Sequence, residues 1–491
     1  MIKVFTAVRK SYETIYPWLF FAYIFCLMSF GRAFLVLSVF KLWVPLFVTE
    51  FFLLISLPYI FINRKLLSEL PSVIKWVVGL FWLQAIIHFI VPISEGNLFA
   101  LRDIVFWGYP LFFLLGFMMF REQKYWYKFF ILILVGMTFV IIESRFFMLT
   151  QPIFQDSRMI IPYFNSFFTI IRGFHLTFFL GLGISFITGF YFFEKNRIFR
   201  FFMLFLLLFG YYLVVIMLCR SAWVGMLGCL LVSGAVLLKF SVRLNKSWLI
   251  LCGLLILLVC IFDFNIGDPG TAALKGKISS LSELSLRTLN LVEKPENKGF
   301  VQIKENNKKR NEVKYSEKIN DNTNIENVVF DKTKSVSVAT ANWRYLIWSQ
   351  GIEFGLQSPI WGKGFGVYPQ YHYSDGSLMT EIKGFGLNSR IIPSHNFLIT
   401  VFFKMGIIGL FLVLMFFGFI FNKAWDFIKQ QKVIGDIRFA MVLSLSLCLL
   451  WWVLIGLFSD MIESPINAAF LWLLSGMFFS IPMKNRSGDG I

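Results

Sequence analysis

Charge is scarce in this 491-residue sequence, since Asp, Glu, Lys and Arg together make up 15% of it. A soluble globular chain carries roughly a quarter charged residues, so a single soluble body of this length is excluded. Histidine is scarcer still, with four in the whole chain, and cysteine contributes six residues. Cys26, Cys219, Cys229, Cys252, Cys260 and Cys448 all fall in or at the end of apolar runs. With no CxxC pair and no cysteine in a polar loop, neither a disulfide framework nor a thiolate metal site is expected. There is also no small-residue cleavage site after the first apolar stretch, so no cleavable leader is expected.

What is present is hydrophobic residue, at 57%, with 62 phenylalanines among it. Runs of about 20 apolar residues match the thickness of a bilayer core. They fall near 17–39, 42–62, 76–93, 104–120, 129–144, 167–193, 201–219, 221–238, 248–264, 397–421, 439–458 and 467–482. The expected fold is therefore an all-α polytopic membrane protein of about twelve transmembrane helices. Gly31-Arg32 interrupts the first span, where the expectation is a bend in the helix or a snorkelling arginine.

Positive charge alternates along the chain. Lys3, Arg9 and Lys10, then Arg64 and Lys65, then Arg121, Lys124 and Lys128 fall on one side of such a bundle. So do Lys195, Arg197 and Arg200, then Lys239, Arg243 and Lys246, then Lys423, Lys429 and Lys432, and finally Lys484 and Arg486. The positive-inside rule makes that side cytoplasmic, which puts both termini inside and a long loop between spans 9 and 10 outside. The net charge of +18 follows this topology and forms no single patch, so nucleic acid is not an expected partner. Three regions result: 1–264 with nine spans, 265–396 as the external loop region, and 397–491 with three spans and a tail.

The loop has two halves. Residues 265–340 are rich in Lys, Asn, Glu, Ser and Thr and include the run Lys304-Glu305-Asn306-Asn307-Lys308-Lys309-Arg310. They read as a polar insertion, either solvated or in contact with glycan and headgroups. Residues 341–396 carry motifs. Asn342 to Ile352 reads as a short amphipathic helix with Trp and Tyr suited to a membrane interface. Gly362-Lys363-Gly364-Phe365-Gly366 follows, with alternate glycines that permit positive φ. They would also let backbone N–H groups approach an anion, and a plain structural turn is the other reading. Ile392-Pro393-Ser394-His395-Asn396 closes the loop, placing His395 at a helix start on the external face. Ser394 or Asn396 is placed to cap that helix or to act as hydrogen-bond partner.

His395-Asn396, nine residues, then Gly406-Ile407-Ile408-Gly409 resembles the signature of the O-antigen ligase and O-antigen polymerase superfamily. These are bacterial membrane glycosyltransferases of the C-type architecture. Cys219-Arg220-Ser221-Ala222-Trp223-Val224-Gly225 resembles the family's arginine motif. Trp343-Arg344 with Gly362 to Tyr368 resembles its loop segment before the histidine. The resemblance covers about residues 200–420, and the N-terminal third matches in hydropathy alone. The departure is the insertion at 265–340, which bears on which member of the superfamily this is.

The resemblance implies transfer of a glycan from undecaprenyl pyrophosphate to a sugar hydroxyl of lipid A–core, at the periplasmic face of the bacterial inner membrane. Its runner-up is a polymerase of O-antigen or another exopolysaccharide. A lipid-linked oligosaccharide flippase or transporter is the alternative of another class, against which the sequence shows no internal repeat. A non-catalytic assembly factor is a further possibility. In the first reading His395 is the general base, an imidazole titrating near neutrality, or else it binds phosphate and the hydroxyl is activated otherwise. Arg220 and Arg344 neutralise the pyrophosphate, their guanidinium forks matching phosphate oxygens without metal or cofactor. A snorkelling interfacial arginine and a capping histidine are the plainer readings of the same residues.

Arg172 and His175 are three apart on an expected helix, placed either to hold the lipid pyrophosphate or to pair with Glu143. With Asn396, Gly364 and Lys363 they complete the candidate substrate-binding set. No metal site is expected: His372 near Asp375 is one imidazole and one carboxylate, too few ligands. His88 and Arg32 read as packing or interfacial residues.

Overall fold

The computed structural model describes residues 2–35, 37–40, 46–150, 158–163, 166–191, 193–216, 220–239, 343–372, 393–431, 436–459 and 461–482. The chain divides into two compact units, Met1–Cys260 with Arg344–Ile491, and Ile261–Trp343. The described residues belong to the first, save Trp343 at the edge of the second. The insertion 265–340 and the expected ninth span, 248–264, lie outside the described residues.

The first unit is a bundle of apolar helices. They are α1 (Ile2–Leu35), α2 (Val48–Asn63), α3 (Ser72–Ser94), α4 (Ile104–Trp107), α5 (Leu111–Met119) and α6 (Lys124–Thr150). Next come α7 (Gly173–Tyr191), α8 (Arg197–Ile216) and α9 (Arg220–Lys239). After a helix over 343–356, called α10, follow α11 (Phe397–Gln430), α12 (Ile437–Gly456) and α13 (Pro465–Ser480). Seven of these helices are long and apolar enough to cross a membrane, and four shorter apolar ones accompany them. Each of the other eleven expected spans overlaps these helices, the span 104–120 taking both α4 and α5. The chain is a helical, multi-pass membrane protein.

Local sequence explains the irregular places. Gly31 takes φ 48, ψ −123 and kinks α1 at the expected bend. The expected span 104–120 is split into α4 and α5 by Gly108-Tyr109-Pro110, because proline has no N–H to donate and restricts the residue before it. Two short antiparallel hairpins interrupt the helical pattern, β1 (Ser38–Phe40) with β2 (Leu46–Phe47), and β3 (Arg158–Tyr163) with β4 (Ser166–Arg172). In the expected spans 42–62 and 167–193 the helices start at Val48 and Gly173, directly after β2 and β4.

Packing is closest where glycine replaces side chains. A Cβ on Gly116 of α5 would collide with the backbone of α13, and one on Gly476 of α13 with the backbone of α5. Small residues let helices approach in this way when no hydrophobic gradient drives them together. Aromatic stacking fills the rest: Phe130 on Phe190 at 4.2 Å and Tyr23 on Phe52 at 3.9 Å between ring centres.

The bundle has two polar ends. At one, Arg121 pairs with Glu69 and donates to the Ser480 carbonyl at 3.1 Å, and Lys128 lies over the Trp18 ring. Lys239 at the end of α9 donates to the Ile428 carbonyl of α11 at 3.0 Å, on that same end. At the opposite end Gly225 of α9 faces Trp451 and Ile455, and Gly456 faces Phe397. Arg220 and His395 thus open helices at a common end of the bundle.

Candidate functional site

The site is built around a break in α11. Gly406 has φ 68 and ψ −167, far from helical, and divides α11 into a half-helix 397–405 and a longer half beyond. Breaking a helix frees carbonyls and N–H groups, which inside a membrane must be satisfied by protein. The loop after α10 does this. Lys363 N–H donates to the Phe403 carbonyl at 2.7 Å and Gly364 N–H to the Lys404 carbonyl at 3.0 Å. Ile407 N–H donates to the Pro359 carbonyl at 2.8 Å, and Gln84 Nε2 of α3 donates to the Met405 carbonyl at 2.6 Å.

That loop takes its shape from the glycines. Gly362, Gly364 and Gly366 have φ of 82°, 85° and 75°, the positive values that the alternate spacing permits. Its N–H groups are engaged within the chain: Gly362 with the Ser358 carbonyl, Phe365 with that of His88, and Gly366 with Asp103 Oδ2 at 2.8 Å. The anion met by the glycine run is thus the chain's own Asp103 carboxylate, and the Gly364 N–H is already engaged with α11. The Lys363 ammonium lies over the Phe354 ring of α10 at 5.3 Å.

Before the half-helix, Ser394 Oγ donates to the Asn396 carbonyl at 2.8 Å and lies 2.5 Å from Thr400 Oγ1. Asn396 is the N-cap, its Oδ1 accepting from Leu398 and Ile399 N–H at 3.0 and 3.3 Å. Between them His395 adopts φ 52, the one described non-glycine residue in the left-handed region. A residue held there is strained by about 1–3 kcal/mol and is over-represented at active sites. Burial first, and the Arg344 charge second, push its imidazole down to about 4. The ring is therefore neutral at physiological pH and has a lone pair to offer.

Arg344 reaches this position through α10, which rests on the half-helix. Gly351 faces Ile399 and Gly355 faces Phe402 and Phe403, while the Trp348 and Phe458 rings pair at 6.2 Å. Gln350 closes the loop onto α10 by exchanging two hydrogen bonds with the His372 backbone. Of the amphipathic helix expected at Asn342–Ile352, the described residues are helical from 343 and continue so to 356.

The expected residues divide as follows. His395 and Arg344 come together, Asn396 caps the helix beside them, and Lys363 and Gly364 hold the break open on its other side. Arg220 is the first residue of α9, on the same end of the bundle. Arg172 and His175 do not share a helical face, because Arg172 ends β4 and His175 lies in the first turn of α7. Among the described residues no three His, Cys, Asp or Glu side chains gather as metal ligands.

One cluster is absent from the sequence expectations. Lys404 Nζ, fully buried in α11, lies 2.5 Å from Asp103 Oδ1 and 3.0 Å from Glu463 Oε1. Tyr368 donates its hydroxyl to the same Asp103 oxygen at 2.9 Å, and its ring lies 4.1 Å below the ammonium. The signal was available: a lysine eight residues into an apolar span demands a buried acid.

Residues 202–414 match the family model described as O-antigen ligase. That stretch takes in α9 from Arg220, the Arg344 helix, the glycine loop, His395 and the Gly406 break, and the match supports the O-antigen ligase superfamily for this part of the chain. No curated protein matches the chain.

Proposed function

We propose that the chain is an O-antigen ligase-like glycosyltransferase of the bacterial inner membrane. It moves a glycan from undecaprenyl pyrophosphate to a sugar hydroxyl of lipid A–core at the periplasmic face, with both termini cytoplasmic. The observation that carries this reading is His395, held in the left-handed region ahead of the half-helix and beside Arg344.

In this reading the acceptor hydroxyl gives its proton to His395 as its oxygen attacks the anomeric carbon, and the bond from that carbon to the pyrophosphate breaks. Attack opposite the leaving group inverts the centre. Arg344 and Arg220 balance the charge gathering on pyrophosphate, without a metal. Arg172, His175, Lys363 and Asn396 make up the surrounding substrate contacts, with Gly364 shaping the loop that carries Lys363. The Arg344 charge that suppresses the imidazole in the free protein is offset when pyrophosphate binds it. Donor binding then raises the basicity of His395 at the moment a base is needed.

A lipopolysaccharide gel of a deletion strain tests the reaction. Free lipid-linked polymer with bare core is the expected pattern. Core bearing a single repeat unit means a polymerase, and unaltered lipopolysaccharide overturns both. His395→Ala, restored to that strain, leaves the deletion pattern unchanged if His395 is the base.

A further inference from the structure

The Lys404 cluster is built from three segments far apart in sequence. Lys404 stands next to the end of the half-helix 397–405. Asp103 ends the turn ahead of α4, and Glu463 lies in the connection between α12 and α13. Side-chain exposure is 0% for Lys404, 2% for Asp103 and 14% for Glu463. Two carboxylates and one ammonium in such surroundings cost desolvation that well-packed apolar residues would avoid. An arrangement of this kind contributes geometry more readily than stability, because each charge accepts its partners only in one place.

What it places is the wall of the His395 site. A half-helix of nine residues is too short to hold itself, since helices below roughly 12–15 residues are marginal alone. His395 precedes it and α10 rests on it. At its far end Asp103 binds the Lys404 ammonium and, through Gly366 N–H and Tyr368 Oη, the glycine loop that receives the broken helix. Glu463 attaches the connection whose Phe458 ring meets Trp348 of α10 and whose first neighbour, Gly456, faces Phe397. One ammonium therefore touches or ties the segments that border His395.

We propose that Lys404 is a positioning residue: held by Asp103 and Glu463, it fixes the half-helix 397–405 so that His395 and the Arg344-bearing α10 keep one relative placement. The inference rests on the reading of His395 and Arg344 as the transfer residues, and its test reads geometry without transfer.

Cysteines are placed in the full-length membrane protein at Gly351 and Ile399, where a Cβ on residue 351 would lie 3.0 Å from Ile399 Cγ2. That is within reach of a disulfide. A second pair, Met28 and Gly136, where a new Cβ would lie 3.4 Å from that of Met28, reports on the fold of the bundle away from the site. Oxidation followed by mass mapping of the linked peptides gives both yields. Lys404→Met is expected to lower the 351–399 yield by about fivefold or more, the lower range of coupling between sites, with the 28–136 yield kept. A 351–399 yield equal to that of the parent overturns the proposal. If Lys404→Met loses both pairs, Glu463→Gln decides, because it leaves the Lys404–Asp103 pair in place. A reduced 351–399 yield in that variant supports the proposal, and an unchanged one overturns it. In the transfer assay Glu463→Gln lowers kcat and leaves KM for the acceptor. A parent protein without transfer activity would sink the proposed function, while the cross-linking yields would still decide whether Lys404 positions the half-helix.

Discussion

Gln84 Nε2 donates to the Met405 carbonyl at 2.6 Å, joining α3 to α11 across 321 residues of sequence. The carbonyl is free because Gly406 abandons helical geometry directly after it. Gln84 is buried, 4% exposed, so no water stands ready to replace it. Gln84→Leu leaves that acceptor unsatisfied and is expected to cost about 1–3 kcal/mol. Reversible unfolding of the purified protein in nanodiscs measures it, and an unchanged midpoint would mean that the break is satisfied in some other way.

Glycine is required at 406 and dispensable at 418, on the same helix. At Gly406 a Cβ would run into the Ile360 carbonyl and the Gly362 nitrogen, and φ is 68. Gly418 is helical, with nothing within 4 Å of a new Cβ. Gly406→Ala is expected to abolish folded yield or lower the unfolding midpoint sharply. Gly418→Ala is expected to raise stability by up to about 1 kcal/mol, the helix-propensity difference. Equal effects from the two would refute the account of the break.

Much of this was legible in the sequence, and the reasons differ by element. Span length located the apolar helices because the bilayer imposes it. Gly362, Gly364 and Gly366 announced their positive φ because few other residues adopt it readily. His395 stood out through its neighbours Asn396 and Gly406. Legibility failed where partners come from distant segments. Nothing near Lys404 names Asp103 or Glu463, and nothing near Met405 names Gln84. It failed also at Arg172, where an apolar run of β-branched and aromatic residues fits strand and helix alike, and β4 took it.

Asn396 has two candidate roles, helix cap and substrate contact, and substitution separates them. Asn396→Ser keeps a cap of nearly equal strength, while Asn396→Ala loses about 1 kcal/mol of it. Serine has no amide to offer a sugar. If capping is the whole role, Asn396→Ser retains stability, kcat and KM, and Asn396→Ala loses stability. If the amide also contacts substrate, Asn396→Ser raises KM in a protein as stable as the parent. Thermal unfolding beside steady-state transfer kinetics distinguishes the two.

His395 gives the protein a pH signature of defined sign. Its imidazole is pushed from the ordinary 6.5 down to about 4 by burial and by the Arg344 charge. Between those values the unfolded chain binds the proton and the folded one does not. The group's contribution to stability is therefore full above about pH 6.5, falls as pH drops toward 4, and falls no further below. The same shift sets the acid limb of kcat/KM, which reports the free enzyme. That limb is expected near pH 4 and not near 6.5. Arg344→Gln removes one of the two causes, so the limb should move toward higher pH while burial keeps it below 6.5. The maximal rate should fall at the same time, because the pyrophosphate loses a counter-charge. A limb that stays in place in Arg344→Gln would detach Arg344 from His395. A wild-type limb at 6.5 would mean that the imidazole meets more water than its burial allows.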